Sequence, residues 1–350
     1  MSTLSRTRHP RTLRVARFSV RYRPRALAAC AGALLVALLM AVLALGHGDY
    51  PIAPADVLRT LAGDGTPAED FVVHQLRLPR VATALLVGAA LALAGALFQT
   101  LVRNPLGSPD ILGFTQGAST GALLVVVAGG SSQALAGGAV AGGLLTGAAI
   151  YALAWRGGVQ GARLVLVGIG TAAILTGVNG YLLTRTQLMD AARAVLWLTG
   201  SLDGRGWEQA RPLAVALAVL LPLVLLGCGP ALRALELGDD AASGLGVRPE
   251  RLRLALLGAA VLLAALAAAA AGPVNFVALT APQLARRLTG APGPNLAASA
   301  CTGAALLVTA DFAAQHLFGD RQLPVGVVTG VLGGGYLLWL LAVRRRAGHL

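Results

Sequence analysis

Residues 77–119 read RLPRVATALLVGAALALAGALFQTLVRNPLGSPDILGFTQGAS. Within it, residues 81–101 carry no charge and are mostly apolar. About 20 such residues cross the hydrocarbon core as one helix, so this run predicts a membrane crossing. Gly88, Ala92, Gly95 and Ala96 recur on one helical face. Small residues at that spacing let a second helix come close. The run then breaks at Arg103-Asn104-Pro105-Leu106-Gly107-Ser108-Pro109, and a second apolar run starts. Backbone groups freed at such a break need protein or water partners.

Similar runs recur along the whole chain. Ten crossings are expected, at about 26–46, 81–101, 111–129, 134–155, 163–183, 212–228, 252–271, 274–290, 295–313 and 324–343. The breaks at Gly129-Gly130 and Gly272-Pro273 separate neighbouring runs. The composition agrees: of 350 residues, 56% are hydrophobic and only 12% charged. A soluble chain carries about twice that charge fraction. The predicted fold class is therefore all-α, a polytopic integral membrane protein. Residues 26–346 read as a single transmembrane domain, with a basic tail at 1–25. A cleaved leader is disfavoured, because the run at 26–46 is long and lacks a small-x-small exit site.

The net charge is +13, and the basic residues are all Arg. Nucleic acid is not the expected partner, because the Arg residues sit between apolar runs rather than on one patch. Their distribution predicts orientation instead. With an inside N-terminus and ten crossings, 20 of the 28 Arg fall on the inside. Ten of the 15 acids fall outside. That is the pattern of the positive-inside rule, with both termini cytoplasmic. Cys30, Cys228 and Cys301 are far apart and show no metal or disulfide spacing.

Nothing in the sequence points to catalysis, to a metal or to a cofactor. There is no phosphate-cradling G-x-x-x-x-G-K-[ST], and Gly168-x-Gly170 lacks the third Gly of a dinucleotide site. Acids within the runs are nearly absent; Asp311 stands at an outer end. Self-powered carriers usually need a midplane ionisable group or a broken-helix ion site. An ion-driven carrier is thus the weaker alternative, and a non-transporting scaffold is a third. If the chain transports, its energy comes from a partner. The one long inside segment, 233–253, reads RALELGDDAASGLGVRPERLR and has helix-like pieces punctuated by Gly. It is the candidate docking surface for that partner, against the plainer reading of a solvated loop.

The quoted stretch resembles the FecCD-type permease subunits of ABC importers for iron–siderophores, haem and vitamin B12. RLPR, the Ala/Gly-rich helix and the Q-x-x-x-R-N-P-L turn all match. So does Gly272-Pro273-Val274-Asn275-Phe276, followed by Pro282-Gln283-Leu284-Ala285-Arg286-Arg287. The resemblance covers about residues 30–343. Gln283 with Arg286-Arg287, and the piece from Trp197 to Trp207, are most similar to the ferric-enterobactin branch.

The resemblance implies cytoplasmic ATP-binding subunits, a second permease chain, identical or homologous, and an extracytoplasmic substrate-binding protein. It implies a ferric siderophore as cargo, of catecholate type, with haem or cobalamin as alternatives. It makes Leu235, Leu237, Gly238, Asp239, Asp240, Ala241, Leu245 and Gly246 the ATPase-coupling segment. It turns Arg77 and Arg80 toward the binding protein. A third family Arg is replaced by Gln315, and Arg321 is its candidate substitute. Asn104 and Leu106, facing Gln160 and Gly161, become gate positions. Thr171, Thr176 and Asn179 are polar positions in a Gly-rich helix, read as pathway-lining or as interhelical hydrogen bonders.

Overall fold

The computed structural model describes residues 11–15, 18–156, 158, 161–317 and 322–346. Gln160 and Arg321, two of the expected site residues, lie outside the described residues. The basic tail is not featureless: β1 (Arg11–Val15) pairs antiparallel with β2 (Phe18–Tyr22), with Arg11 opposite Tyr22. Otherwise the described chain is helical.

The first apolar run is α1 (Pro24–Gly46). The acidic segment after it folds into α2 (Pro54–Leu61) and α3 (Pro67–Asp70). Both short helices, like α1, start on Pro, which gives up only an N–H that a first helical turn leaves unpaired anyway. Thr66 and Glu69 close a reciprocal cap on α3. A π-helical stretch, Phe71–Arg77, leads into α4 (Leu78–Leu101). Then come α5 (Phe114–Val127), α6 (Ser132–Ala154), α7 (Gly161–Arg185) and the amphipathic α8 (Leu188–Leu198). Next, α9 (Trp207–Pro222) runs on through a π-helical stretch, Leu223–Cys228. The inside segment forms α10 (Gly229–Glu236) and α11 (Asp239–Gly244). The chain finishes with α12 (Pro249–Ala271), α13 (Val277–Thr289), α14 (Leu296–His316) and α15 (Val325–Arg346).

A helix stands at each of the ten expected runs, but they are not equal. Among the described residues, seven helices are long and apolar enough to cross a membrane. Phe114–Val127 and Val325–Leu340 are shorter apolar helices. The expected crossing at 274–290 is only the 13-residue α13. At 1.5 Å per residue it reaches about 20 Å, short of a ~30 Å hydrocarbon core. Its length is set by Gly272, whose φ of 72° ends α12, and by an extended stretch that delays the next helix to Val277.

The core is built on α4. The apolar window of the helix containing it is 78% buried, against 11% for α1 and 11% for α7. The small face seen in the sequence explains this. A methyl on Gly88 would overlap the Gly303 carbonyl of α14, and one on Gly303 would overlap the Gly88 carbonyl. The two backbones therefore touch. One face-width along, Gly95 lies against the Ala278 carbonyl of α13. The pairs Gly88–Gly303 and Arg80–Asp311 show α4 and α14 running antiparallel in one register.

Gly88→Val is therefore expected to destabilise the fold by about 3 kcal/mol or more, the upper end for overpacking, since a backbone carbonyl cannot swing aside. Gly258→Ala, where nothing lies within 4 Å of the added carbon, is the control. Thermal melting in detergent checks this; equal melting temperatures would show that α4 and α14 do not need contact at this point.

Candidate functional site

At the end of the molecule expected to face inside, α10 and α11 fold into a small knob. Ala234, Leu235 and Ala242 form its interior, with Val247 and Leu252 packed against them. Leu237 and Leu245 instead point out, at 72% and 67% exposure. Gly238 and Gly246, with φ of 115° and 80°, supply the turns that let two short helices fold on each other. Of the expected coupling residues, Leu235 thus builds the knob, whereas Leu237, Asp240, Ala241 and Leu245 face outward.

Asp239 faces the body of the protein. Its Oδ1 accepts from Arg103 Nη2 at 2.7 Å and from Arg253 Nη2 at 2.8 Å. Arg253 also reaches Asp239 Oδ2 at 2.8 Å and Glu250 Oε1 at 3.0 Å. Partial burial pushes the Asp239 carboxyl up, but the hydrogen bonds and charges of Arg253 and Arg103 outweigh it and hold the group below its ordinary value. Sequence reasoning saw Asp239 only as a member of the coupling segment. Arg103 is 136 residues away, and no local pattern announces the pair.

Arg103 belongs to the break after α4. Its N–H bonds the Thr100 carbonyl at 3.3 Å, and the Asn104 N–H bonds the Gln99 carbonyl at 3.2 Å. These bonds are the Schellman closure, which puts Arg103 at φ 51°. Gly usually fills that place, because an L-residue there costs roughly 1–2 kcal/mol. Beyond it, Asn104 Oδ1 accepts from the Leu106 N–H at 2.9 Å, and Leu106 is 43% exposed. Gln283 of α13 donates to the Pro105 carbonyl at 2.9 Å. Gln99 donates to the Leu279 carbonyl at 3.1 Å, and Arg286 donates to Gln99 Oε1. Arg287 stacks over Trp339 of α15, 4.8 Å from the ring centre. The structure also brings the turn to Gly161, where an added methyl would lie 3.0 Å from the Val102 backbone. The Asn104 turn and the start of α7 are therefore neighbours.

The polar positions on α7 divide. Asn179 is buried and binds α5: Thr120 Oγ1 donates to its Oδ1 at 2.6 Å, and its Nδ2 donates to Gln116 Oε1 at 3.1 Å. It acts as an interhelical hydrogen bonder. Thr171 and Thr176 donate to carbonyls of their own helix, and Thr176 is exposed.

At the opposite end, expected to face outside, Arg80 is 15% exposed and makes a bidentate pair with Asp311, itself 2% exposed. Gln315 donates to Asp311 Oδ2 at 2.8 Å, so it supports the same carboxylate. Asp203 lies 3.5 Å from Arg80 on the exposed side. Arg77 donates to the Leu45 and Tyr50 carbonyls, both at 2.7 Å, and ties down the chain leaving α1. Both arginines line an open cavity of about 790 Å³, together with Asp49, Asp203, Arg205 and His316. Their guanidinium groups thus serve the fold as well as the surface.

The profile of the FecCD transport family matches residues 34–343. The chain is 45% identical to the ferric enterobactin transport system permease protein FepG of Escherichia coli, over 86% of this chain and 92% of that one. It is 41% identical to the achromobactin transport system permease protein CbrC of Dickeya dadantii, over 89% and 90%. Among solved structures, a metal-chelate type ABC transporter in an inward-facing conformation superposes with a TM-score of 0.77. It shares 28% identity and is matched over 91% of this chain and 99% of its own. With its apolar spanning helices, the chain is a multi-pass membrane protein and belongs to the FecCD transport family.

Proposed function

We propose that the chain is the permease subunit of an ABC importer that carries a ferric siderophore, of catecholate type, into the cytoplasm. Residues 26–346 act as the permease domain, both termini are cytoplasmic, and residues 1–25 are a tail. A second permease chain completes the pathway, two ATP-binding subunits power it, and an extracytoplasmic binding protein delivers the cargo. The observation that carries this reading is the inside knob. Leu237 and Leu245 are exposed apolar side chains on a compact projection beyond the spanning helices, which is what a docking surface for a soluble partner needs. The chain supplies no nucleotide site of its own. The similarity to permeases named for ferric enterobactin and achromobactin supports a siderophore cargo.

In this reading, ATP closes the two ATPases, the knobs follow, and the segments at Asn104–Leu106 and Gln160–Gly161 open or close the inside end. Thr171 and Thr176 face the pathway between the two permease chains. Reconstitution with the ATPase and binding-protein partners tests it. ATP-dependent uptake of a ferric catecholate into proteoliposomes is expected, with haem and cobalamin moved far less. Uptake driven by an ion gradient without ATPase would overturn the reading in favour of a secondary carrier.

Leu237→Glu and Leu245→Glu would each set a carboxylate into the ATPase contact. Burying it unpaired costs roughly several kcal/mol, so the ATPase is expected to dissociate while the permease still folds. Co-purification checks this, and wild-type assembly in both variants would mark the knob as an ordinary solvated connection.

At the outer face, Arg77→Gln with Arg80→Gln is expected to slow binding-protein association several-fold at low salt, because both guanidinium groups line the open cavity there, and to lower the melting temperature, because buried Asp311 loses its partner. Asp311→Asn should do the opposite, unmasking Arg80. It should also lower the melting temperature, since one-sided loss of a buried pair costs about 3–5 kcal/mol. Association rates unmoved by all three changes would remove this face from the docking surface.

A further inference from the structure

Four separate pieces of chain meet at the Arg103–Asp239–Arg253–Glu250 cluster. Arg103 belongs to the break that carries Asn104 and Leu106, and Asp239 opens α11 of the knob. Glu250 and Arg253 lie in the first turn and a half of α12. The fourth piece is the connection between α6 and α7, where an added methyl on Gly158 would lie 3.2 Å from Glu250 Oε1. Gly161, three residues on, backs onto Val102. The knob is thereby joined to the Asn104 turn by one shared carboxylate. The start of α7 meets the same turn where Gly161 backs onto Val102, and the connection before it lies beside Glu250 at Gly158.

We propose that this cluster is the link that makes the Asn104 turn and the start of α7 move with the knob, with Arg103 as the positioning residue. The inference rests on the importer reading and adds to it the side chains that transmit the motion. Three observations support it. Asp239 Oδ1 is shared by two guanidinium groups, so a shift of the knob changes the partners of both segments at once. Arg253 pairs with both Asp239 and Glu250, so the knob and the first turns of α12 are held by one guanidinium. And Arg103 occupies a left-handed position that Gly would hold with less strain. The chain keeps a side chain there whose contacts are the Leu235 carbonyl and Asp239, both on the knob side.

Arg103→Gly is the decisive variant, because Gly suits the left-handed backbone and the fold should persist. The assay is cargo moved per ATP hydrolysed, in proteoliposomes holding the full complex with its binding protein. Arg103→Gly and Arg103→Gln should retain the ATPase on co-purification and keep their melting temperature. Cargo per ATP should fall roughly fivefold or more, the scale of ordinary coupling between sites. Arg103→Lys keeps a charge within reach of Asp239 and should recover most of the ratio. A wild-type ratio in Arg103→Gly would overturn the link. So would a loss that follows ATPase dissociation, or a Lys variant as poor as Gln. If the wild-type complex takes up nothing with ATP, the importer reading itself fails, and the link with it.

Discussion

Inside a bilayer, lipid tails are as apolar as leucine, so burial alone does not drive helices together. What holds this fold is contact close enough for dispersion to add up, and that needs backbones without side chains between them. The small face of α4 provides it. Gly88 meets Gly303, and Gly95 meets the Ala278 carbonyl, so α14 and α13 both rest on the same helix. The register that follows also sets Arg80 opposite Asp311 and Gln99 within reach of Leu279 and Arg286. Polar contacts at both ends of the molecule thus inherit their geometry from a few missing methyl groups at its centre.

The two ends use polarity differently. At the outer end, the Arg80–Asp311 pair is nearly sealed, and Gln315 helps to satisfy the carboxylate. A buried pair of this kind tolerates little change in one partner. At the inner end, Asp239 and Arg103 are about half exposed, at 44% and 51%. Water screens such pairs, so they contribute little to stability. A contact that adds little to stability can also be remade at little cost, which suits segments that must shift.

Much of this was legible in the sequence. The period and length of the apolar runs located the helices. The small face of α4 was readable because residues at that spacing have one structural meaning in lipid. The Gly-punctuated inside segment was readable as a pair of short helices, and the Asn104 turn was readable from Pro105. Other features were not. α13 looked like a full crossing because composition does not reveal how far an extended stretch after Gly272-Pro273 delays the next helix. Asn179 could line a path or bind a neighbour, and only the position of Thr120 and Gln116 decides that it binds α5. The Arg103–Asp239 and Arg80–Asp311 pairs join residues more than 130 positions apart, where one sequence carries no signal of proximity.

The shortness of α13 has a further consequence. A helix that spans the bilayer is fixed along its axis, because sliding drags apolar surface into water or polar ends into lipid, at fractions of a kcal/mol per Å. Most of α13 is enclosed by protein, from Val277 through Gln283, and it is too short to be matched to the membrane thickness. Its axial position is set by Gln283 on the Pro105 carbonyl and by Arg287 on Trp339 rather than by the lipid. In this fold the bilayer therefore gauges the long helices, while α13 answers only to its protein neighbours. The same chain would keep α13 in place in a thinner or a thicker membrane.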